Sequence, residues 1–168
     1  KYSWPMSKPI DTLKFWKDRI DAAKKEGTMH YSIYLKKTMS DIDARHHQII
    51  QKLGINKQGV QVLDAGCGYG RNAKWFSEKN YVGIDFSPDF IDEAKIHFPD
   101  YDFHVVDLMA PLPFGEKQFD WAIFNSIRQM VEGNLGKEAW ETMLENTKKV
   151  AKNVLILEYS TPEQYDIL

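Results

Sequence analysis

Three glycines at alternate positions, Gly66, Gly68 and Gly70, interrupt the run Val62-Leu63-Asp64-Ala65-Gly66-Cys67-Gly68-Tyr69-Gly70-Arg71-Asn72. Glycine accepts positive φ and lets backbone approach a ligand where any Cβ would collide. An apolar run before the loop and a helix-forming stretch after it place the loop at a strand's carboxyl end, where open α/β sheets bind ligands. Polar groups recur at the ends of the apolar runs that follow. Asp85 lies 19 residues after Gly66, Asp107 lies 22 residues after Asp85, and Asn125 with Ser126 closes a fourth run. Asp85 suits a pair of ribose hydroxyls, and Asp107 suits an exocyclic amine of the kind adenine carries. Asp64 suits a cationic group such as an amino-acid ammonium. Taken singly, each acid also reads as a helix cap or turn former. Together, four polar strand ends describe a crevice.

These groups need elements to hold them. Val60–Ala65, Tyr81–Asp85, Tyr101–Val106, Phe119–Phe124 and Val154–Leu157 read as five short strands, nearly continuous in apolar residues. Helices are expected between them: from Asn72 to Lys79, from Ser87-Pro88-Asp89 with Phe90, Ile91, Ala94 and Phe98 inward, and from Lys137 to Ala151. Strands buried on both faces and separated by helices imply a parallel sheet of βαβ units. The expected fold class is therefore α/β, a doubly wound parallel sheet of about five strands with helices on both faces. Residues 1–56 form an N-terminal helical cap on the core of residues 57–168, the whole making one domain. Within the cap, one helix is expected from Asp11 or Thr12 to Gly27, and a second from about Ser40 to Leu53.

Composition excludes several classes. The chain has 168 residues, 43% hydrophobic and 27% charged, which is the profile of a globular domain rather than a disordered one. One cysteine, Cys67, excludes an internal disulfide framework and a cysteine-rich metal site, and no metal is expected. No apolar run approaches the ~20 residues that span a bilayer, and the first residues lack the apolar core of a signal peptide. A cytoplasmic protein without membrane attachment is the expectation. The net charge of −2 lacks the basic excess of proteins that hold phosphate backbones, so nucleic acid is not the expected partner. A dinucleotide fingerprint would carry its third glycine five residues after the first, and Arg71 stands there.

With those residues in place, Asp64-Ala65-Gly66-Cys67-Gly68-Tyr69-Gly70 resembles the first motif of class I S-adenosylmethionine-dependent methyltransferases. Val82-Gly83-Ile84-Asp85-Phe86-Ser87-Pro88 resembles the second, Asp107-Leu108 the acidic third, and Phe119-Asp120-Trp121-Ala122-Ile123-Phe124 the fourth. The likeness covers about residues 58–158 and implies a Rossmann-like sheet with its five strands in the order 3-2-1-4-5. It implies S-adenosylmethionine as cofactor, with Gly66 and Gly68 lining the methionine part and Asp85 on the ribose. It further implies that Asp107 and Leu108 flank the adenine, Phe86 packs on its ring, and Asn125 sits by the methyl group. A full family sheet has seven strands, and Tyr159–Leu168 is read as too short to supply the last two. A minimal family version, a shortened chain, or strands from a second copy would each account for that. A bare fifth strand would be an edge to pair, which is the reason for expecting a homodimer.

Asn125-Ser126-Ile127-Arg128 lacks the Asn/Asp-Pro-Pro-aromatic signature of enzymes that methylate base amines of DNA, so a small molecule or protein is the expected acceptor. No pattern identifies a general base. Tyr31, Tyr34, His30, His46 and His47 are the N-terminal candidates, with His46 and His47 expected on a solvated helix face and the two tyrosines in packing roles. Trp4 and Trp16 could close over a pocket or serve the cap's own core. Arg128 and Gln129 could greet a polar acceptor or belong to a surface loop. The expected activity is methyl transfer. A non-catalytic protein that binds S-adenosylmethionine as a sensor or partner subunit is the alternative, and a nucleotide-dependent oxidoreductase is the third.

Overall fold

A computed structural model describes residues 11–29 and 36–168. The expectations for Trp4, His30, Tyr31 and Tyr34 lie outside the described residues. Helix α1 (Thr12–Glu26) begins where Asp11 accepts the Lys14 amide through its side chain and ends where Gly27 takes the left-handed conformation, with φ 71°. Helix α2 (Lys36–Leu53) starts four residues earlier than its periodicity predicts.

Five strands form the expected parallel sheet: β1 (Val62–Ala65), β2 (Tyr81–Asp85), β3 (Asp102–Val105), β4 (Phe119–Asn125) and β5 (Ala151–Leu157). Their order is 3-2-1-4-5, so the chain reverses direction across the sheet between β1 and β4. The registers Ala65↔Ile84, Asp64↔Ile123 and Asn125↔Leu157 bring the carboxyl ends of β1, β2, β4 and β5 to one edge. Helix α3 (Pro88–His97) opens with Pro88 in its first turn, where a missing amide hydrogen costs nothing, and Ser87 caps it by accepting the Phe90 amide at 3.2 Å. Helix α5 (Lys137–Val150) runs directly into β5.

Each sheet face has its own core. Leu63, Ile84, Ala122, Phe124 and Ile156 pack on Trp140 and Met143 of α5. On the opposite face, Val62, Tyr81, Ile123 and Leu155 pack on Ile91 of α3 and on Ile49 and Ile50 of α2. Helix α2 is thus part of the sheet's covering layer. Helix α1 packs on α3 instead, through Ile20, Ala23 and Phe90.

Three differences from the sequence expectations concern the site. The segment Asn72–Lys79 is not a helix. It forms two 3-10 turns, Ala73–Trp75 and Glu78–Asn80, parted by extended Phe76, whose side chain is buried. Ser77 begins the second turn by accepting the Lys79 amide, a local bond that competes with helix continuation. A short helix, α4 (Arg128–Leu135), follows β4 where a loop was expected. The last residues supply a sixth strand, β6 (Tyr165–Ile167), antiparallel to β5 with Ile156↔Asp166 in register. The ten-residue tail is long enough for one strand, and reciprocal 2.9 Å bonds between Val154 and Leu168 extend the pairing. The fifth strand is therefore not the bare edge from which a homodimer was argued.

Candidate active site

A cavity of about 250 Å³ opens at the carboxyl ends of the strands. Asp64, Gly66, Gly68, Asp85, Phe86, Asp107, Leu108 and Asn125 all line it. The strand order explains this convergence. Loops after β1 and β4 diverge to opposite sides of the sheet and leave a crevice between them.

The glycine loop is held from beneath. Gly66 and Cys67 donate their amides to the Ile84 carbonyl, at 2.8 and 2.9 Å. Asp85, buried at the end of β2, accepts the Gly68 amide at 3.0 Å on one oxygen and the Ser87 amide at 2.9 Å on the other. One carboxylate therefore fixes both the loop and the start of α3, and each oxygen keeps a lone pair for a ligand hydroxyl. Burial pushes the Asp85 pKa up to about 6, against the pull of its backbone hydrogen bonds.

Gly66 and Gly68 differ in what they are for. Both have positive φ, 79° and 56°. A Cβ at Gly66 would come within 2.6 Å of Ile127 Cδ1, so this position is set by packing. A Cβ at Gly68 would meet nothing within 4 Å, which leaves open space above the loop.

Asp64 is buried and takes a 2.6 Å hydrogen bond from the Tyr81 hydroxyl on one oxygen. Burial raises its pKa to about 6, opposed by the Tyr81 hydrogen bond and by Arg71. Its other oxygen has no hydrogen-bond donor among the described residues, so this carboxylate is half-satisfied and suits a cation. At the far side of the crevice Phe86 is 39% exposed over the cavity, and Leu108 is buried beside it. Asp107 turns the chain by accepting the Met109 amide at 2.9 Å, and Asn146 of α5 holds the Leu108 carbonyl at 2.9 Å. Trp16 of α1 reaches the same cavity and packs on Phe90 at 5.4 Å between ring centroids.

Around the ends of β4 and β5 stand further groups, of which Glu158 and Tyr159 had no assignment from the sequence. Ser126 has φ 62°, a conformation strained for a non-glycine residue and concentrated at functional sites. Glu158, the first residue past β5, is buried and lines the cavity, as do Tyr159 and Arg71. Arg71 Nη2 lies 3.2 Å from Asp43 of α2, and the Arg71 guanidinium sits 5.2 Å from the centroid of the Tyr159 ring. His46, expected on a solvated face, is instead fully buried, with Nε2 3.1 Å from the Glu158 carbonyl. Burial lowers its pKa to about 4, so the ring is neutral and donates from Nε2. His47 stacks on Trp75, with ring centroids 5.0 Å apart. One signal could have found Glu158: the rule that strand ends carry polar groups, applied to the fifth strand as well as the first four. His46 is among the sequence's candidate bases, but nothing in the sequence marks its burial, which depends on how α2 lies against β5.

A family profile described as a methyltransferase domain matches residues 62–153. This chain belongs to the class I S-adenosylmethionine-dependent methyltransferases. It is 31% identical over 133 residues to a ubiquinone/menaquinone biosynthesis C-methyltransferase, UbiE, of Citrifermentans bemidjiense, covering 72% of this chain and 54% of that protein. The chain thus spans about half the length of the curated relatives it matches. Among solved structures, its fold resembles phosphoethanolamine N-methyltransferase 1 of Haemonchus contortus, with a TM-score of 0.63, 19% identity, and coverage of 88% of this chain and 32% of that one. It also resembles a TehB-like S-adenosylmethionine-dependent methyltransferase of Corynebacterium glutamicum, with a TM-score of 0.56, 24% identity, and coverage of 86% and 71%. The family's cofactor is S-adenosylmethionine, and the chemistry of the donor set fits it: a half-satisfied buried carboxylate at Asp64, open space over Gly68, and lone pairs on Asp85. No described helix is long and apolar enough to cross a membrane.

Proposed function

We propose that this methyltransferase-family chain moves a methyl group from S-adenosylmethionine to a small-molecule or protein acceptor rather than to nucleic acid. The observation that carries the reading is the meeting of the glycine loop, Asp64, Asp85 and Asp107 around one cavity. Bound S-adenosylmethionine would supply an already activated methyl group. The protein's own task is then alignment and exclusion of water, which in well-oriented reactions lowers a barrier by up to roughly 7–11 kcal/mol.

Each residue has a part in that task. Asp64 holds the ammonium of the methionine end, and the turn at Gly66 and Gly68, bare of side chains, lets that end lie against backbone. Asp85 receives the ribose hydroxyls, while Phe86, Asp107 and Leu108 bracket the adenine. Asn125 and Ser126 border the place where the acceptor meets the methyl group. Trp16, carried on α1, shields the opening from water. The net charge of −2 supports an acceptor other than nucleic acid.

Titration calorimetry with S-adenosylmethionine, S-adenosylhomocysteine and NAD tests the reading. Saturable binding of the first two and none of the third is expected. Preference for NAD, or no binding of either sulfur compound, overturns it.

A further inference from the structure

We propose that Glu158 is the residue that receives the acceptor, accepting a hydrogen bond from its nucleophilic atom and then its proton. This rests on the methyl-transfer reading and assigns a residue on which that reading is silent. Glu158 lies outside the 62–153 match, as do Tyr159 and His46.

The geometry is that of a held carboxylate with one free oxygen. Glu158 is 5% exposed and lines the cavity next to Asn125, whose register partner Leu157 immediately precedes it. Its Oε1 accepts the Gln129 amide at 3.1 Å, one of the unpaired N–H groups opening α4. Its Oε2 makes no hydrogen bond to any described residue. Its backbone is fixed as well, because His46 of α2 holds the Glu158 carbonyl at 3.1 Å. A buried carboxylate so held and half-unpaired is costly unless a ligand completes it.

The surrounding charges define what that ligand is. From α4, Arg128 and Glu132 act on Glu158 in opposite senses, and Arg128 is itself 3.0 Å from Asp166 of β6. From α2, His46 is neutral. Desolvation prevails and raises the Glu158 pKa to about 7, which suits a proton acceptor at neutral pH. Among the described residues, the cavity wall carries four carboxylates, on Asp64, Asp85, Asp107 and Glu158, against the single guanidinium of Arg71, which is engaged with Asp43. An anionic acceptor is disfavoured there. Ile127, Met130 and Val131 line the same side and suit an apolar body. The acceptor class is thus an apolar molecule bearing a proton on its nucleophile, an amine or a phenolic hydroxyl. As the new bond from that atom to the methyl carbon forms, the carbon–sulfur bond breaks with its electron pair left on sulfur, and the acceptor's proton passes to Oε2.

The test uses protein labelled with ¹³C at glutamate carboxyls and saturated with S-adenosylhomocysteine, with the Glu158 resonance assigned through Glu158→Gln. Glutamine keeps a carbonyl for the Gln129 amide, so this variant preserves the local fold. Phenylethylamine, 4-methylcatechol and phenylacetate are then titrated in. We expect the amine or the catechol to move the Glu158 resonance and its titration midpoint, and the arm that responds identifies the nucleophile. Glu158→Gln should weaken that probe at least tenfold while leaving S-adenosylhomocysteine affinity within about twofold. A Glu158 signal indifferent to both proton-bearing probes, a preference for phenylacetate, or equal probe binding by the variant overturns the proposal. Failure of S-adenosylhomocysteine to saturate the protein overturns the methyl-transfer reading instead.

Discussion

The two halves of the cavity are built differently. On the β1–β2 side, Asp64, Gly66, Gly68 and Asp85 come from two short stretches, and each anchors its neighbour: Tyr81 holds Asp64, and Asp85 holds Gly68. On the β4–β5 side, Asn125, Glu158, Arg71 and His46 come from four separate parts of the chain, and their links run across long sequence distances, such as His46 to the Glu158 carbonyl. Contiguous segments suit a fixed ligand fragment that must be gripped the same way each time. Distant segments can be re-aimed by shifting one helix, which suits the variable partner in a reaction.

That contrast can be broken at several points. The largest effect is expected from Asp85→Ala, which removes the acceptor shared by the Gly68 and Ser87 amides and proposed for the ribose hydroxyls. Loss of a charged hydrogen-bond partner in a buried site should cost roughly 3 kcal/mol, or about 100-fold in S-adenosylmethionine affinity by calorimetry. Unchanged affinity would remove Asp85 from the donor half.

Gly66→Ala comes next. Its Cβ would meet Ile127 Cδ1 at 2.6 Å and must also hold φ 79°, so a loss of about 2–4 kcal/mol in unfolding free energy is expected. Adding Ile127→Ala should restore the steric part and leave the backbone part. If the double variant is no more stable than the sum of the singles, packing against Ile127 does not explain Gly66.

The smallest effect is on pH dependence. Asp64 and Asp85 have pKa values of about 6 in the folded chain, above the ordinary 3.8. The folded state therefore binds protons more tightly than the unfolded one. These groups favour folding below about pH 4, and that contribution is lost as pH rises through 6. On the proposed reading Asp64 must be ionised to hold the ammonium and Asp85 to accept from the ribose hydroxyls, so the rise in melting temperature caused by S-adenosylmethionine should grow between pH 5 and pH 7. Tyr81→Phe, which strips Asp64 of its only hydrogen-bond donor among the described residues, should move the Asp64 midpoint upward and displace that growth to higher pH. A ligand-induced shift that is flat across this range would mean that neither carboxylate touches the ligand.

Much of the donor half was legible because strand-end position and glycine spacing are local properties. The segment after the glycine loop was misread as a helix because Ser77 caps its own turn, a competition that apolar periodicity does not register. The tail is too short for the last two strands of a full family sheet, yet a single antiparallel strand needs only a turn and three residues, and β6 uses them. His46 illustrates a different limit. An amphipathic helix has an inner face, but which residue on it lands against a strand end depends on the angle at which the helix packs.

Sequence alone determined the βα alternation and the identity of the polar strand ends, because hydrophobic periodicity is a local property, while the order of the strands came from the likeness of its motifs to a known family. Only the tertiary structure decided that Glu158 keeps one oxygen unpaired, that His46 is buried behind it, and that Gly66 answers to Ile127. Those outcomes depend on which side chains desolvate one another, and residues far apart in the chain express that only after they have packed.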